Sequence, residues 1–542
     1  MSTYVRHTRP RAGAGAAVVA ASSKLAATQW QASRAPIRFV RFLHQYQHAS
    51  AQAHDDAQPP PPNPKPTIRL AVKDNIAAPG FPTTCHSRIL TGNRIPFSAT
   101  IVTQLQTCGG MQVISKTAMD EFGMGTHSTT SAFEPVVNAP PLDQYSAGGS
   151  SGGSAVAVRE GRADLALGTD TGGSVRMPAA YTCTVGFKPS YGMLSRWGVV
   201  PYANSLDTVG LLARTVRPIR DAVVGLGLYR EHDPRDPTSL PDAVRSRCTA
   251  ERDGYATSTT TTAAADEPPQ TLRGFTFGLP LEYNIEELDP RVRQGWLRAL
   301  ETIRGLGGRV VPVSLPSTKN ALSAYYVIAP AEASSNLAKY DGVRYGIRDA
   351  SSASDAQDGV LYARTRGSGF GAEVQRRILL GSYTLSSEAM DNYFIQAQRV
   401  RQLVRRDFDR VFALDNPLLD EQHFDLSEMD GTTGIETKLG PAQVDFLVCP
   451  TAPTTPPRLE HVRRQTPLDS YMNDVFTVPA SLAGLPAISI PMDLPVDPAS
   501  EEQKLLRFGG LQLIGQYWDD ARVLSVAEML SGHVSSDIAG TL

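Results

Sequence analysis

Gly168-Thr169-Asp170-Thr171-Gly172-Gly173-Ser174, with Gly148-Gly149-Ser150-Ser151-Gly152-Gly153-Ser154 shortly before it, is the stretch that decides how this chain is built. Short apolar segments, Ala155 to Val158 and Leu165 to Leu167, lie between the two clusters. A flexible linker has a similar composition, but linkers do not alternate with packing segments. A phosphate cradle of the Walker type needs a lysine after its last glycine, whereas Ser174 and Val175 follow Gly173. The dinucleotide pattern G-x-G-x-x-G is absent from both clusters. What a Gly-Gly-Ser turn does supply is an exposed hydroxyl beside unshielded backbone N–H groups, because glycine permits conformations that aim successive amides at one point. Ser174 is therefore the candidate nucleophile. Thr171, Gly172 and Gly173 are candidates for an oxyanion hole, a feature typically worth about 3 to 4 kcal/mol per donor.

A serine hydroxyl needs a base. The nearest histidines, His86 and His127, sit outside any G-x-S-x-G elbow or recognisable triad order. Lys73 closes the apolar run Leu70-Ala71-Val72 and precedes Asp74-Asn75. If buried, its ammonium would be desolvated and its pKa lowered toward neutrality. From spacing alone a solvated lysine at a strand end is the commoner case.

Outward from these motifs, Ile68 to Val72 reads as a strand, Ile101 to Thr107 as a helix and Met111 to Ser115 as a strand. Short strands alternating with helices predict an α/β fold. Two polar segments interrupt the pattern. One, at about 246–270, contains the threonine run Thr257 to Thr262 and is expected to be a disordered insertion. The other, at about 416–442, is polar and acidic, separates a helix ending near Phe412 from the buried-looking strand Val444 to Cys449, and is expected to be a second disordered insertion.

Ahead of the folded body, the first fifty residues carry Arg6, Arg9, Arg11, Lys24, Arg34, Arg38 and Arg41, with no acidic residue before Asp55. This bias is that of a mitochondrial transit peptide. Residues 1–66 are thus expected to be a targeting leader and a proline-rich linker, and residues 67–542 the catalytic domain. The formal net charge of −2 provides no overall basic field for nucleic acid or an anionic membrane. The five cysteines are scattered, without metal-ligand spacing, and are expected to be free thiols. No metal site and no membrane span are expected.

Ala71-Val72-Lys73-Asp74-Asn75, the two glycine-serine clusters, Val175-Arg176 and Gly186-Phe187-Lys188-Pro189 resemble, in order and spacing, the amidase signature family. The resemblance implies a large mixed central β-sheet covered by helices on both faces. It also implies a Ser-Ser-Lys triad in which Lys73 is the general base, Ser150 relays the proton and follows a cis peptide, and Ser174 is the acyl nucleophile. The stretches Met119 to Gly125, Glu332 to Leu337, Arg376 to Gly381, Pro450 to Thr454 and Gly510 to Gly515 are similar to the branch of the family that releases ammonia from glutamine.

In that branch the positions matching Tyr325, Arg377 and Asp474 hold the substrate glutamine. A guanidinium fork and a carboxylate complement the α-carboxylate and α-ammonium of a free amino acid; for either residue taken alone a surface ion pair is the commoner case. The branch implies no cofactor in this subunit. It implies a B subunit binding Glu-tRNA(Gln), ATP and Mg2+, a small third subunit, and a location in the mitochondrial matrix. A stand-alone amidase of broad specificity and a catalytically silent scaffold are the competing expectations. Family members carry a pair of helices ahead of the lysine strand, and the residues between the leader and Ile68 are few and proline-rich for them.

Overall fold

A computed structural model describes residues 67–258, 271–349, 361–419 and 444–535. The leader expected over 1–66, and most of the second expected insertion, lie outside the described residues.

Ten strands form one mixed sheet: β1 (Arg69–Lys73), β2 (Gln112–Thr117), β3 (Leu165–Asp170), β4 (Val185–Lys188), β5 (Thr208–Ala213), β6 (Thr276–Pro280), β7 (Arg309–Val313), β8 (Phe446–Pro450), β9 (Ala487–Asp493) and β10 (Phe508–Gly515). Their order is β2-β1-β3-β5-β4-β9-β10-β8-β6-β7. Pairing is parallel at both ends, β2-β1-β3 and β8-β6-β7, and antiparallel from β3 through β8.

Alternation along the strands shows that the sheet is covered on both faces. Leu70 and Val72 of β1, Leu165 and Leu167 of β3 and Leu211 of β5 join a large core cluster. The residues between them, Ala71, Ala166 and Leu212, join a second, small-residue cluster with Ala155, Val158 and Ala179. A strand turns successive side chains to opposite faces, so these are the two sides of one sheet. The small-residue face lets the helices Gly152–Arg159 and Arg176–Thr182, which start at the ends of the two glycine-serine motifs, approach the strands closely. On the other face the helices Thr100–Thr107 and Val216–Arg220 contribute Ile101, Val102, Leu105, Val216 and Ile219.

The expected insertion at 246–270 is corrected in its first part, because Asp242–Ser258 is a helix and only 259–270 lie outside the described residues. Its attachment is polar. The Arg245 guanidinium donates to the carbonyls of Leu240 (2.7 Å), Met193 (3.0 Å), Tyr229 (2.6 Å) and Gly192 (3.1 Å). Apolar periodicity is therefore a poor guide here, although Cys248 is fully buried. All five cysteines are free thiols. Among the described residues no helix is long and apolar enough to cross a membrane, and no group of three or more His, Cys, Asp or Glu stands ready to hold a metal ion.

Candidate active site

Lys73 ends β1, a strand hydrogen-bonded on both sides, and this carries its side chain into the sheet with no exposure to solvent. Its Nζ lies 2.7 Å from Ser150 Oγ, 2.8 Å from Ser151 Oγ and 3.2 Å from the Thr169 carbonyl. Burial pushes the ammonium pKa down to about 7, against the pull of Asp120, Asp170 and Asp207, which favour the charged form. An amine at that value takes up and releases protons near neutrality, as a general base requires. In its neutral form its two N–H groups suit Ser151 Oγ and the Thr169 carbonyl, leaving the lone pair for the Ser150 hydroxyl. The histidines set aside from the sequence are elsewhere engaged. His127 bonds Ser146 Oγ at 2.9 Å and Asn473 at 3.2 Å, and burial holds its pKa down at about 4.

Ser150 and Ser151 precede the helix Gly152–Arg159, and the Gly149–Ser150 peptide is cis. Ser128 staples the loop, donating to the Gly148 carbonyl (2.8 Å) and accepting from Gly152 N (3.0 Å). Asp120 in turn fixes Ser128 N (2.9 Å) and Thr130 N (3.0 Å). Gly149 has to be glycine, since a Cβ there would meet the Asp120 carboxylate and stand 2.6 Å from His127 N. Ser174 is held alongside by its carbonyl, which accepts from Ser151 N at 3.0 Å, and it is the one partly exposed member of the three. The Lys73–Ser150 hydrogen bond is thus formed, whereas among the described residues none joins Ser150 to the Ser174 hydroxyl.

The turn before Ser174 is braced on every side. Thr171 Oγ1 donates to Asp207 (2.7 Å), and the Gly172 carbonyl accepts from Thr477 Oγ1 (2.6 Å). Gly173 has φ +152°, and a side chain there would run into Thr477. Beneath the turn, the fully buried Arg176 pairs with Asp170 at 2.8 Å and donates to the Thr477 carbonyl, Gln512 Oε1 and Ser481 Oγ at 2.7 to 2.9 Å. The N–H groups of Gly172 and Gly173 donate to no protein acceptor among the described residues.

Tyr325 and Asp474, brought from distant segments, flank this turn, and Arg377 adjoins them through Tyr326, whose ring lies 5.3 Å from its guanidinium carbon. The Tyr325 ring lies over Gly172, where an added Cβ would be 2.7 Å from Cζ, and Asp474 Oδ1 would be 3.2 Å from a Cβ on Gly173. Arg377 is 3% exposed and Asp474 7%. Burial pushes the Asp474 carboxyl up to about 7. Around them stand residues the sequence did not single out. Tyr326 donates to Asp474 at 3.0 Å, Tyr202 Oη accepts from Arg377 at 2.6 Å, and Glu373 accepts from Arg377 Nε at 2.8 Å and from Tyr471 at 2.9 Å. Of these, only Glu373 had a readable signal, four residues before Arg377 on one helix.

The motifs and geometry agree with the comparisons to known proteins: the amidase family model matches residues 26–524, and the chain belongs to that family. It is a close homologue of mitochondrial glutamyl-tRNA(Gln) amidotransferase A subunits. It is 61% identical to that of Podospora anserina over 86% of this chain and 89% of the relative. Against that of Neurospora crassa it is 58% identical over 87% and 91%. The crystal structure of the Thermotoga maritima glutamyl-tRNA(Gln) amidotransferase A subunit superposes with a TM-score of 0.63 at 33% identity, covering 86% of this chain and 83% of that one.

Proposed function

We propose that the chain is the amidase subunit of a mitochondrial glutamyl-tRNA(Gln) amidotransferase, hydrolysing glutamine to supply ammonia for the conversion of Glu-tRNA(Gln) to Gln-tRNA(Gln). The observation that carries this assignment is the Lys73 amine, buried between two serine hydroxyls beside a turn whose flanks hold Tyr325 and Asp474, with Arg377 close by. Ser174 attacks the side-chain amide carbon and passes its proton through Ser150 to Lys73. The oxyanion is received by the N–H groups of the 171–173 turn. Ammonia leaves with a proton returned by the same relay, and water then frees glutamate from the acyl-enzyme. Arg377 and Asp474 receive the α-carboxylate and α-ammonium, and Tyr325 lines the same pocket.

The chain itself needs no cofactor for these steps. ATP, Mg2+ and the bulk of the tRNA fall to a B subunit, with a small third subunit bracing the pair. The near-neutral net charge of −2 supports this division, and the arginine-rich first fifty residues, with no acidic residue before Asp55, support a matrix location. Residues 67–542 form the catalytic domain.

The test is a paired assay of Arg377→Ala in the assembled complex. With glutamine as nitrogen donor, kcat/KM is expected to fall about ten- to a hundredfold, the loss of a charge-assisted contact. With ammonium as donor, activity should be retained. Equal losses from both donors would mean that Arg377 supports the fold or a contact between subunits instead.

A further inference from the structure

Two of the five N–H groups of the Arg377 guanidinium are engaged before any substrate arrives. Its Nε donates to Glu373 Oε1 (2.8 Å) and its Nη1 to Tyr202 Oη (2.6 Å). The rings of Tyr202, Tyr326 and Tyr471 surround its carbon at 5.7, 5.3 and 5.3 Å. Nη2 is the one nitrogen with no protein hydrogen bond among the described residues. Glu373 Oε1 is shared, accepting from Tyr471 Oη at 2.9 Å as well as from Arg377.

Tyr471 enters from a different element, the helix Pro467–Met472, whose start is fixed by a capping box between Thr466 and Asp469. Its ring stacks on Tyr326 with centroids 4.0 Å apart and planes 21° from parallel, and the Tyr326 hydroxyl holds Asp474 at 3.0 Å. One side chain therefore touches the partners of both charged receptors: Glu373 of Arg377 through its hydroxyl, and Tyr326 of Asp474 through its ring. The α-carboxylate and α-ammonium of an amino acid are attached to the same carbon, so their receptors must be kept at one separation. A carboxylate that fixes the guanidinium and a tyrosine that spans the two halves meet that need.

We propose that Tyr471 and Glu373 are positioning residues that hold Arg377 at a set distance from Asp474, and so determine the preference for an amide carrying an α-amino acid head group. The proposal rests on the glutaminase assignment above. It gives Tyr471 a role without contact to the reacting atoms.

The experiment uses the full chain assembled with its partner subunits, comparing wild type, Tyr471→Phe, Glu373→Gln and the double variant. Substrates are L-glutamine and 4-aminobutanamide, which keeps the amine and the amide but lacks the α-carboxylate. Tyr471→Phe, which keeps the stacked ring, is expected to raise KM for glutamine about five- to tenfold with kcat within about twofold, the pattern of lost binding common to ground and transition states. Kinetics with 4-aminobutanamide should not change. Because both residues act on the same oxygen, the double variant should be no worse than Glu373→Gln alone. An unchanged KM for glutamine in Tyr471→Phe, or equal losses on both substrates, would overturn the proposal while leaving the glutaminase assignment intact. A wild-type complex inert toward glutamine would overturn both.

Discussion

Lys73 Nζ and Ser150 Oγ stand 2.7 Å apart in a space closed to solvent. A lysine in water would be charged and useless as a base at neutral pH. Here the same burial that makes the charge costly makes the amine available, and the neighbouring hydroxyls of Ser150 and Ser151 and the Thr169 carbonyl receive it in either protonation state.

The first consequence is a pH profile. Lys73 has to be neutral to accept a proton, and its pKa is brought down to about 7, so activity is present above that value and lost as pH falls through it. Asp474, raised to about 7, has to be ionised to hold an ammonium, which acts in the same direction. For glutamine, log kcat/KM should fall on the acid side with a slope between one and two, and the apparent values belong to the pair. A profile flat from about pH 5.5 to 8.5 would contradict this assignment of base and receptor.

Members of a relay act as a unit. Lys73→Ala should cost several orders of magnitude in kcat, Ser150→Ala somewhat less, and the double variant no more than the worse single. Ser151→Ala removes one of three acceptors around Nζ, with the Thr169 carbonyl remaining, and should cost only about tenfold. Single-turnover rates check this series. Multiplying losses in the double variant would show that the two residues work separately.

Stability should depend on a pair outside the chemistry. Arg176 and Asp170 are both fully buried, and their hydrogen bonds tie the end of β3 to the helix Arg176–Thr182 across the catalytic turn. Arg176→Met leaves the Asp170 carboxylate uncompensated and should destabilise the fold by about 3 to 5 kcal/mol. Urea denaturation measures it. A loss below about 1 kcal/mol would mean that the carboxylate finds other partners or takes up a proton.

How much of this was legible follows from sequence distance. The two glycine-serine motifs lie close together in the chain and could be read directly, as could the strand and helix on either side of Cys85. Whether Lys73 was buried could not. That depends on β2 and β3, which come from later in the chain and flank β1 on both sides. The family resemblance, not the local pattern, pointed to this lysine. Glu373 was within reach of helical spacing from Arg377, but Tyr202 lies 175 residues from Arg377 and Tyr471 lies 98 from Glu373, and no local signal joins them. The helix Asp242–Ser258 escaped for a different reason, since it is anchored by an arginine gathering carbonyls and shows no apolar stripe.

The central claim is that Ser174 becomes acylated by glutamine, and it is tested most directly by acid-quenching the complex during turnover and mapping the modified peptide by mass spectrometry. A γ-glutamyl ester on Ser174, absent from Ser174→Ala and accompanied there by a loss of glutaminase activity of several orders of magnitude, is the predicted result. An ester on any other residue, or a Ser174→Ala variant that keeps a tenth of wild-type activity, would contradict the account.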